Sequence, residues 1–195
     1  MKARRDSGFS LTELVVAMAV AMILAAVAMP YFLRAYHFYQ LSNAATQVAD
    51  ILRLTRYEAI RLNRTVDCVI QPDSGNPTMT RASMTDVNHN PLTGVSARVI
   101  LLGSDGNLID AGSVPGAASL PAAAALGATT PTAVPPAGGT LQFDPRGALN
   151  PANITVVYLS APGSPESGFR AVLLMPAGSI QIWSGDTAGN WQQTR

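Results

Sequence analysis

The chain is poor in the residues that most catalytic and binding chemistry draws on. Its 195 residues include one cysteine, Cys68, and two histidines, His37 and His89. A single cysteine excludes an internal disulfide framework and a cysteine-rich zinc site. Two histidines leave little for a histidine-based metal centre. Charge is scarce too: Asp, Glu, Lys and Arg make up 13% of residues, against about 25% in ordinary globular domains. The 13 basic and 12 acidic residues nearly cancel, so composition excludes a strongly basic nucleic-acid binder. No Gly-x-Ser-x-Gly elbow surrounds a serine, and no glycine-rich phosphate loop opens a helix. Asp86-Val-Asn-His-Asn90 spaces oxygen-bearing side chains as calcium loops do, yet Pro91 stands where such a loop needs glycine and no glutamate follows at the twelfth position. A polar turn is the expectation there. The chain reads as neither an enzyme nor a metal or cofactor protein.

Apolar residues are what it has. They reach 48%, with mean hydropathy +0.20, too much for a disordered polar tail. Lys2, Arg4 and Arg5 form a positive cluster, and the run from Leu14 to Met29 then carries no charge. A membrane-spanning helix needs about 20 apolar residues, and Phe9 to Leu33 supplies that length. The positive cluster holds the N-terminus on the cytoplasmic side and sends the rest outward. A secretory signal peptide has a shorter apolar stretch of about 7–15 residues. Here the run passes through Tyr31-Phe32-Leu33 into a helical pattern without a loop. Glu13 sits inside the apolar segment, where a carboxylate costs about 2.5–3.5 kcal/mol on insertion scales. It needs a partner.

Gly8-Phe9-Ser10-Leu11-Thr12-Glu13-Leu14, after a short basic leader and before an apolar helix, resembles the processing site of type IV pilins and type II secretion pseudopilins. Pro30, at the twenty-second position after Gly8, is a further landmark of that family. The resemblance implies cleavage between Gly8 and Phe9 by a prepilin peptidase, N-methylation of Phe9, and a role for Glu13 in filament assembly. Cleavage frees the α-amine of Phe9, which is cationic near neutral pH. On its own helix that amine precedes Glu13 by about one turn. An adjacent subunit, shifted along an assembly axis, can present its own amine to the carboxylate instead, and pairing in low dielectric would select one stagger between subunits.

Beyond Pro30 the helical period continues. Leu41, Ala44, Ala45, Val48, Ile51, Leu52, Thr55, Ala59 and Leu62 form one stripe, with Arg53, Arg56, Arg61 and Arg64 expected on the opposite, solvated side. A helix from Phe9 to about Asn63 is about 80 Å long at 1.5 Å per residue, with a kink or weak point at Pro30. The period then becomes two. Strand-like runs are Thr65–Gln71, Ala97–Leu102, Thr140–Phe143, Ile154–Leu159, Arg170–Leu174 and Ser179–Trp183, with Met79–Met84 a weaker candidate. Asp105-Gly106, Pro162-Gly163 and Ala177-Gly178 punctuate them. Cys68 falls on a strand as a small buried hydrophobe.

The expected architecture is α+β. Residues 1-8 are a cleaved cytoplasmic leader, 9-33 a transmembrane and assembly helix, 34-64 an amphipathic stem packed on the head, and 65-195 a β-rich periplasmic head. Residues 111-139 carry five prolines and no charge, and read as a flexible insertion with at most a helical turn at Ala122–Ala125.

The head resembles the GspH/FimT group of that family. The carriers are Arg56-Tyr-Glu-Ala-Ile-Arg-Leu-Asn-Arg64 leading into the Val66–Val69 strand, Phe143-Asp-Pro-Arg-Gly147, and the final hairpin Val172–Trp183. The implied function is that of a minor pilin or pseudopilin. It would join other pilin-like subunits in the bacterial inner membrane and support filament initiation, protein secretion or pilus biogenesis. The alternative is a DNA-binding minor pilin for natural transformation. In that group the last hairpin often carries a Gly-Arg pair followed by another base, where this chain has Gly178-Ser-Ile-Gln181. From Thr65 onward five arginines face eight acids, a net of −3. DNA is therefore a possible partner but not the favoured one.

Overall fold

A computed structural model describes residues 10–76, 79–92, 99–103, 106–117, 120, 131–161 and 164–194. The chain divides into two compact units, Met1–Tyr36 and His37–Arg195. Helix α1 (Leu11–Leu62) contributes to both.

The described part of the first unit is helix and nothing else. Every residue from Ser10 to Tyr36 is exposed, including long side chains such as Leu14, Ile23, Leu24 and Phe32. Pro30 lies inside α1, so the helix does not end at the expected weak point. The missing N–H removes one bond to Ala26, which is a small loss in a helix of 52 residues.

In the second unit the periodicity reading holds. Leu41, Ala44, Ala45, Val48, Ile51, Leu52, Thr55 and Ala59 are buried, and Ala49 and Glu58 join them. Asn63 ends the helix in the left-handed conformation, with φ 48°. The Asn63 and Arg64 N–H groups then donate back to the Ile60 and Ala59 carbonyls, both at 3.2 Å. This is a Schellman stop, and asparagine is the usual substitute for glycine in it.

Among the described residues eleven strands follow: β1 (Val66–Pro72), β2 (Thr80–Thr85), β3 (Val99–Leu101), β4 (Asn107–Leu108), β5 (Thr132–Ala133), β6 (Gly139–Phe143), β7 (Leu149–Asn150), β8 (Thr155–Ser160), β9 (Phe169–Leu174), β10 (Ile180–Gly185) and β11 (Trp191–Thr194). They form a sheet ordered β3-β2-β1-β6-β7 and another ordered β11-β10-β9-β8-β4, with β5 also pairing β8. All pairings are antiparallel except β5 with β8. The fold class is the α+β arrangement expected. Strands β4, β5, β7 and β11 were not foreseen; they have two to four residues each, too few to show a period.

Alternation along β8 and β9 separates two cores. Val157, Leu159, Val172 and Leu174 join the α1 stripe and the inner face of the first sheet in one cluster. Val156, Tyr158, Ala171 and Leu173 face the other way, into a cluster with Val114, Leu120, Trp183 and Trp191. Both faces of β8 are thus covered, which is why its run is almost continuously apolar.

That second cluster corrects the reading of 111-139 as a plain surface insertion. Ala111–Ser113 form a 3-10 turn whose start is capped by Asp110, the carboxylate accepting from the Gly112 N–H. Val114 and Leu120 are buried, and the Tyr158 hydroxyl donates to the Ala117 carbonyl at 3.2 Å. β5 then pairs with β8. Val114 and Leu120 cover an apolar sheet face that would otherwise meet water, and this outweighs the cost of ordering the chain. Ala122–Ala125 lie outside the described residues, as do Asp105, Pro162 and Gly163.

Candidate functional site

The apolar half of α1 is the first candidate. Gly8 and Phe9 lie outside the described residues, so the site begins at Ser10. There the Ser10 N–H donates to the Glu13 carboxylate, a long bond of 3.5 Å, while the Ser10 hydroxyl pairs with that of Thr12 at 2.9 Å. Ser10-Leu-Thr-Glu13 is a capping-box spacing, and Glu13 makes its half of the box. This local role is additional to the assembly role expected from the sequence. The Ser-x-x-Glu pattern just before an apolar run was the available signal. Glu13 is also the one acid among residues 10–49.

The stem arginines do not form one solvated face. Arg53 is exposed and pairs with Asp50 at 2.8 Å; Arg61 pairs with Glu58 at 2.7 Å. Solvent screens such pairs, so they contribute little to stability. Arg56 departs from the expectation. Its Nε is buried without a hydrogen-bond partner, against Gly147 of the β6–β7 turn and Gly178 of the β9–β10 turn. Both glycines have positive φ, 78° and 79°, and a side chain on either would strike Arg56. Phe143-Asp-Pro-Arg-Gly147 and the last hairpin therefore meet on the stem, which gives the segments that carry the resemblance a packing role.

The calcium-like pentad is a turn. Asp86 Oδ1 accepts from the Asn88 and Asn90 N–H groups at 2.9 and 2.8 Å, and His89 takes positive φ, 62°. The same loop recurs twice. Asp144 accepts from Arg146 and Ala148, with Gly147 left-handed, and Asp186 accepts from Ala188 and Asn190, with Gly189 left-handed. Each is a short loop closed by a left-handed fourth residue, a common hairpin connection. The oxygen spacing that suggested a cation serves the backbone. Hydrogen bonds from Asn90 hold the Asp86 carboxyl below the usual carboxylate range, and those from Asn190 do the same for Asp186. No cluster of three metal-ligating side chains occurs among the described residues.

The arginines counted from Thr65 onward do not share one setting. Arg146 is exposed, Arg195 lies outside the described residues, and Arg170 is buried at 2% exposure. Arg170 shares the inner face of β9 with Val172 and Leu174, as its two-residue spacing from them implies. Its Nε and Nη2 donate to Ser42 Oγ at 3.3 and 3.0 Å, and Nη1 donates to the Phe169 carbonyl at 2.9 Å. The guanidinium lies 4.5 Å from the centre of the Phe38 ring. A buried arginine cannot contribute to a phosphate-tracking surface. Cys68 is fully buried, as expected, and burial pushes its thiol up to about 12.

Comparisons with known proteins agree with the N-terminal and stem readings. The prokaryotic N-terminal methylation motif matches residues 3–29, and the model for the type II transport protein GspH matches residues 44–178. No curated protein matches the chain. Among solved structures, the type IV minor pilin FimU of Pseudomonas aeruginosa (strain PAO1) is 13% identical, with a TM-score of 0.37, covering 80% of this chain and 90% of that one. That likeness is too slight to assign any residue. The family model spans more than half of the chain, and with the methylation motif before it this protein belongs to the GspH family, the pilin-like structural subunits of type IV pili and type II secretion systems.

Proposed function

We propose that this protein is a minor pilin or pseudopilin that is cleaved between Gly8 and Phe9, methylated on Phe9, and incorporated into a filament through α1. In the membrane it spans the inner bilayer once, with the head in the periplasm. The observation that carries the reading is the uniform exposure of residues 10–36. Within it the uncharged apolar stretch from Leu14 to Leu33 is stable only in lipid or against other helices.

Within that surface Glu13 supplies register. Its carboxylate pairs with the Phe9 amine of an adjacent subunit, and breaking such a pair leaves one charge buried alone, a cost of about 3–5 kcal/mol. The local capping bond is the competing role, and two substitutions separate them. Glu13→Gln keeps a capping-box acceptor and removes the charge; Glu13→Ala removes both. Both variants are expected to insert and to be cleaved normally. Both should lose co-purification with neighbouring subunits by a factor of hundreds. Wild-type incorporation of Glu13→Gln would assign this residue to the cap and leave assembly to apolar packing alone.

A further inference from the structure

The first sheet ends in unequal strands. β6 has five residues and β7 two, so β7 pairs only with Gln142 and Phe143. The Asp144 N–H donates to the Ala148 carbonyl at 2.9 Å, while the Leu149 N–H donates to the Pro176 carbonyl at 2.9 Å and not to Phe143. Bonded and non-bonded pairs alternate along an antiparallel ladder. Asp144, Gln142 and Thr140 therefore aim their main-chain groups toward the β7 side, and at Thr140 β7 has already ended. Thr140 is exposed, with its N–H and C=O on an open edge. β5 leaves a second such position. The Thr132 and Val134 N–H groups donate to the Ile154 and Val156 carbonyls at 2.8 and 2.9 Å, so Ala133 between them turns its N–H and C=O away from β8.

Thr140 and Ala133 line one cleft of about 160 Å³. Val134, Leu141 and Leu149 form an apolar floor, each at most 5% exposed. No charged residue lines it among the described residues. Its two long amides are engaged: Asn150 Nδ2 donates to Gln142 Oε1 at 2.8 Å, and Gln142 Nε2 donates to Asp67 Oδ1 at 3.0 Å. A charged ligand would lose its hydration there without a counter-charge. A purely apolar one would cover the Thr140 main-chain groups and leave them unbonded. An extended peptide satisfies both demands, because it carries a donor and an acceptor beside each side chain. The volume is well below the roughly 300–1,000 Å³ of small-molecule sites, and suits a single side chain.

We propose that this cleft takes an extended, uncharged segment of another protein chain, which adds to the β6 edge where β7 stops. One residue of the segment exchanges two main-chain bonds with Thr140. The residue beside it turns its side chain to the inner face of the sheet, the face of Leu141 and Leu149, and fills the cleft with an aliphatic group. The site is independent of processing at Gly8, of Glu13 and of membrane insertion.

The test is amide NMR of the full-length protein in detergent, titrated with the capped pentapeptide acetyl-Thr-Thr-Leu-Thr-Thr-amide. The Thr140 and Ala133 signals should shift saturably. Peptides with alanine or lysine in place of the leucine should bind at least tenfold more weakly. Replacing the amide N–H by an ester oxygen at one of the two threonines beside the leucine should also cost at least tenfold. Thr140→Pro removes an N–H that the β1–β6 ladder does not use, so the head should stay folded and bind the peptide at least tenfold more weakly. Should that variant not fold, the ester peptides decide the same point from the ligand side. No saturable shift, or equal binding of the leucine and lysine peptides, would overturn the proposal. Shifts at Thr140 that grow with protein concentration in the absence of peptide would assign the edge to a second copy of this chain and overturn it as well.

Discussion

The two halves of α1 are the same secondary structure under opposite demands. From Leu11 to Tyr36 every side chain is exposed. From Leu41 to Ala59 a stripe of ten residues is buried, with charged residues such as Asp50, Arg53 and Arg61 outside it. From Leu14 to Leu33 the first half carries no charge on any side, and the second is apolar on one face only. A helix that is apolar all round has its surroundings supplied by lipid or by other helices. One with a single stripe makes its own surroundings by folding a head onto it. The boundary between the two compact units, at Tyr36 and His37, falls where one regime gives way to the other.

The largest effect expected is on this contrast. Leu52 is fully buried in the main core, so Leu52→Ala should lower the head's unfolding free energy by about 2–5 kcal/mol. Leu24 is exposed, so Leu24→Ala should change it by less than about 0.5 kcal/mol. Cys68 provides the readout. Burial keeps its thiol protonated, with a pKa of about 12, so it reacts with an alkylating reagent only when the head opens. Leu52→Ala should speed alkylation while Leu24→Ala leaves it unchanged. Equal rates in the two variants would mean that the halves of α1 are not energetically separate.

A smaller effect distinguishes the two turns that close on the stem. At Gly178 a Cβ would collide with the Gly147 carbonyl oxygen, a backbone atom, as well as with Arg56. At Gly147 the clash is with the Ile60 and Arg56 side chains, at 2.7 and 3.0 Å, and side chains can shift. Both positions have positive φ, where a non-glycine residue costs on the order of 1–3 kcal/mol. Gly178→Ala should therefore destabilise the head more than Gly147→Ala in denaturant unfolding. The reverse order would show that the Arg56 side, rather than the turn-to-turn approach, controls this junction.

How legible these features were depended on the length over which a pattern repeats. The stem stripe spans five turns, so all but its last residue, Leu62, could be read directly as buried. The longer strands showed their alternation, and β9–β10 formed the expected hairpin. Four strands of two to four residues left no period to read. Residues 111-139 misled because prolines and missing charge describe the chain's local freedom, while Val114 and Leu120 are held by contacts distant in sequence. Arg170 was the instructive miss. Its strand, Arg170–Leu174, is legible from the alternation alone. Two-residue spacing from Val172 and Leu174 already placed it inside.

The smallest effect concerns acidity, and it tests whether the repeated loops contribute to the stability that the stem-packed core supplies. Asp86 and Asp186 have carboxyl groups held below the usual range, first by the hydrogen bonds from Asn90 and Asn190 respectively. A folded-state value below the unfolded one means that the unfolded chain binds protons more readily as pH drops. The stabilisation is therefore complete above the unfolded-state pKa, near 3.9, and is lost as pH falls from there through the depressed folded value. Thermal midpoints of the full-length protein in detergent should decline below about pH 5. The double variant Asp86→Ala with Asp186→Ala should start lower and decline less steeply. Both sites are at the surface, so raising the salt concentration should do little, because the bonds to backbone N–H are short-ranged. Parallel decline of the wild type and the double variant would show that these carboxylates shape their turns without contributing to acid stability.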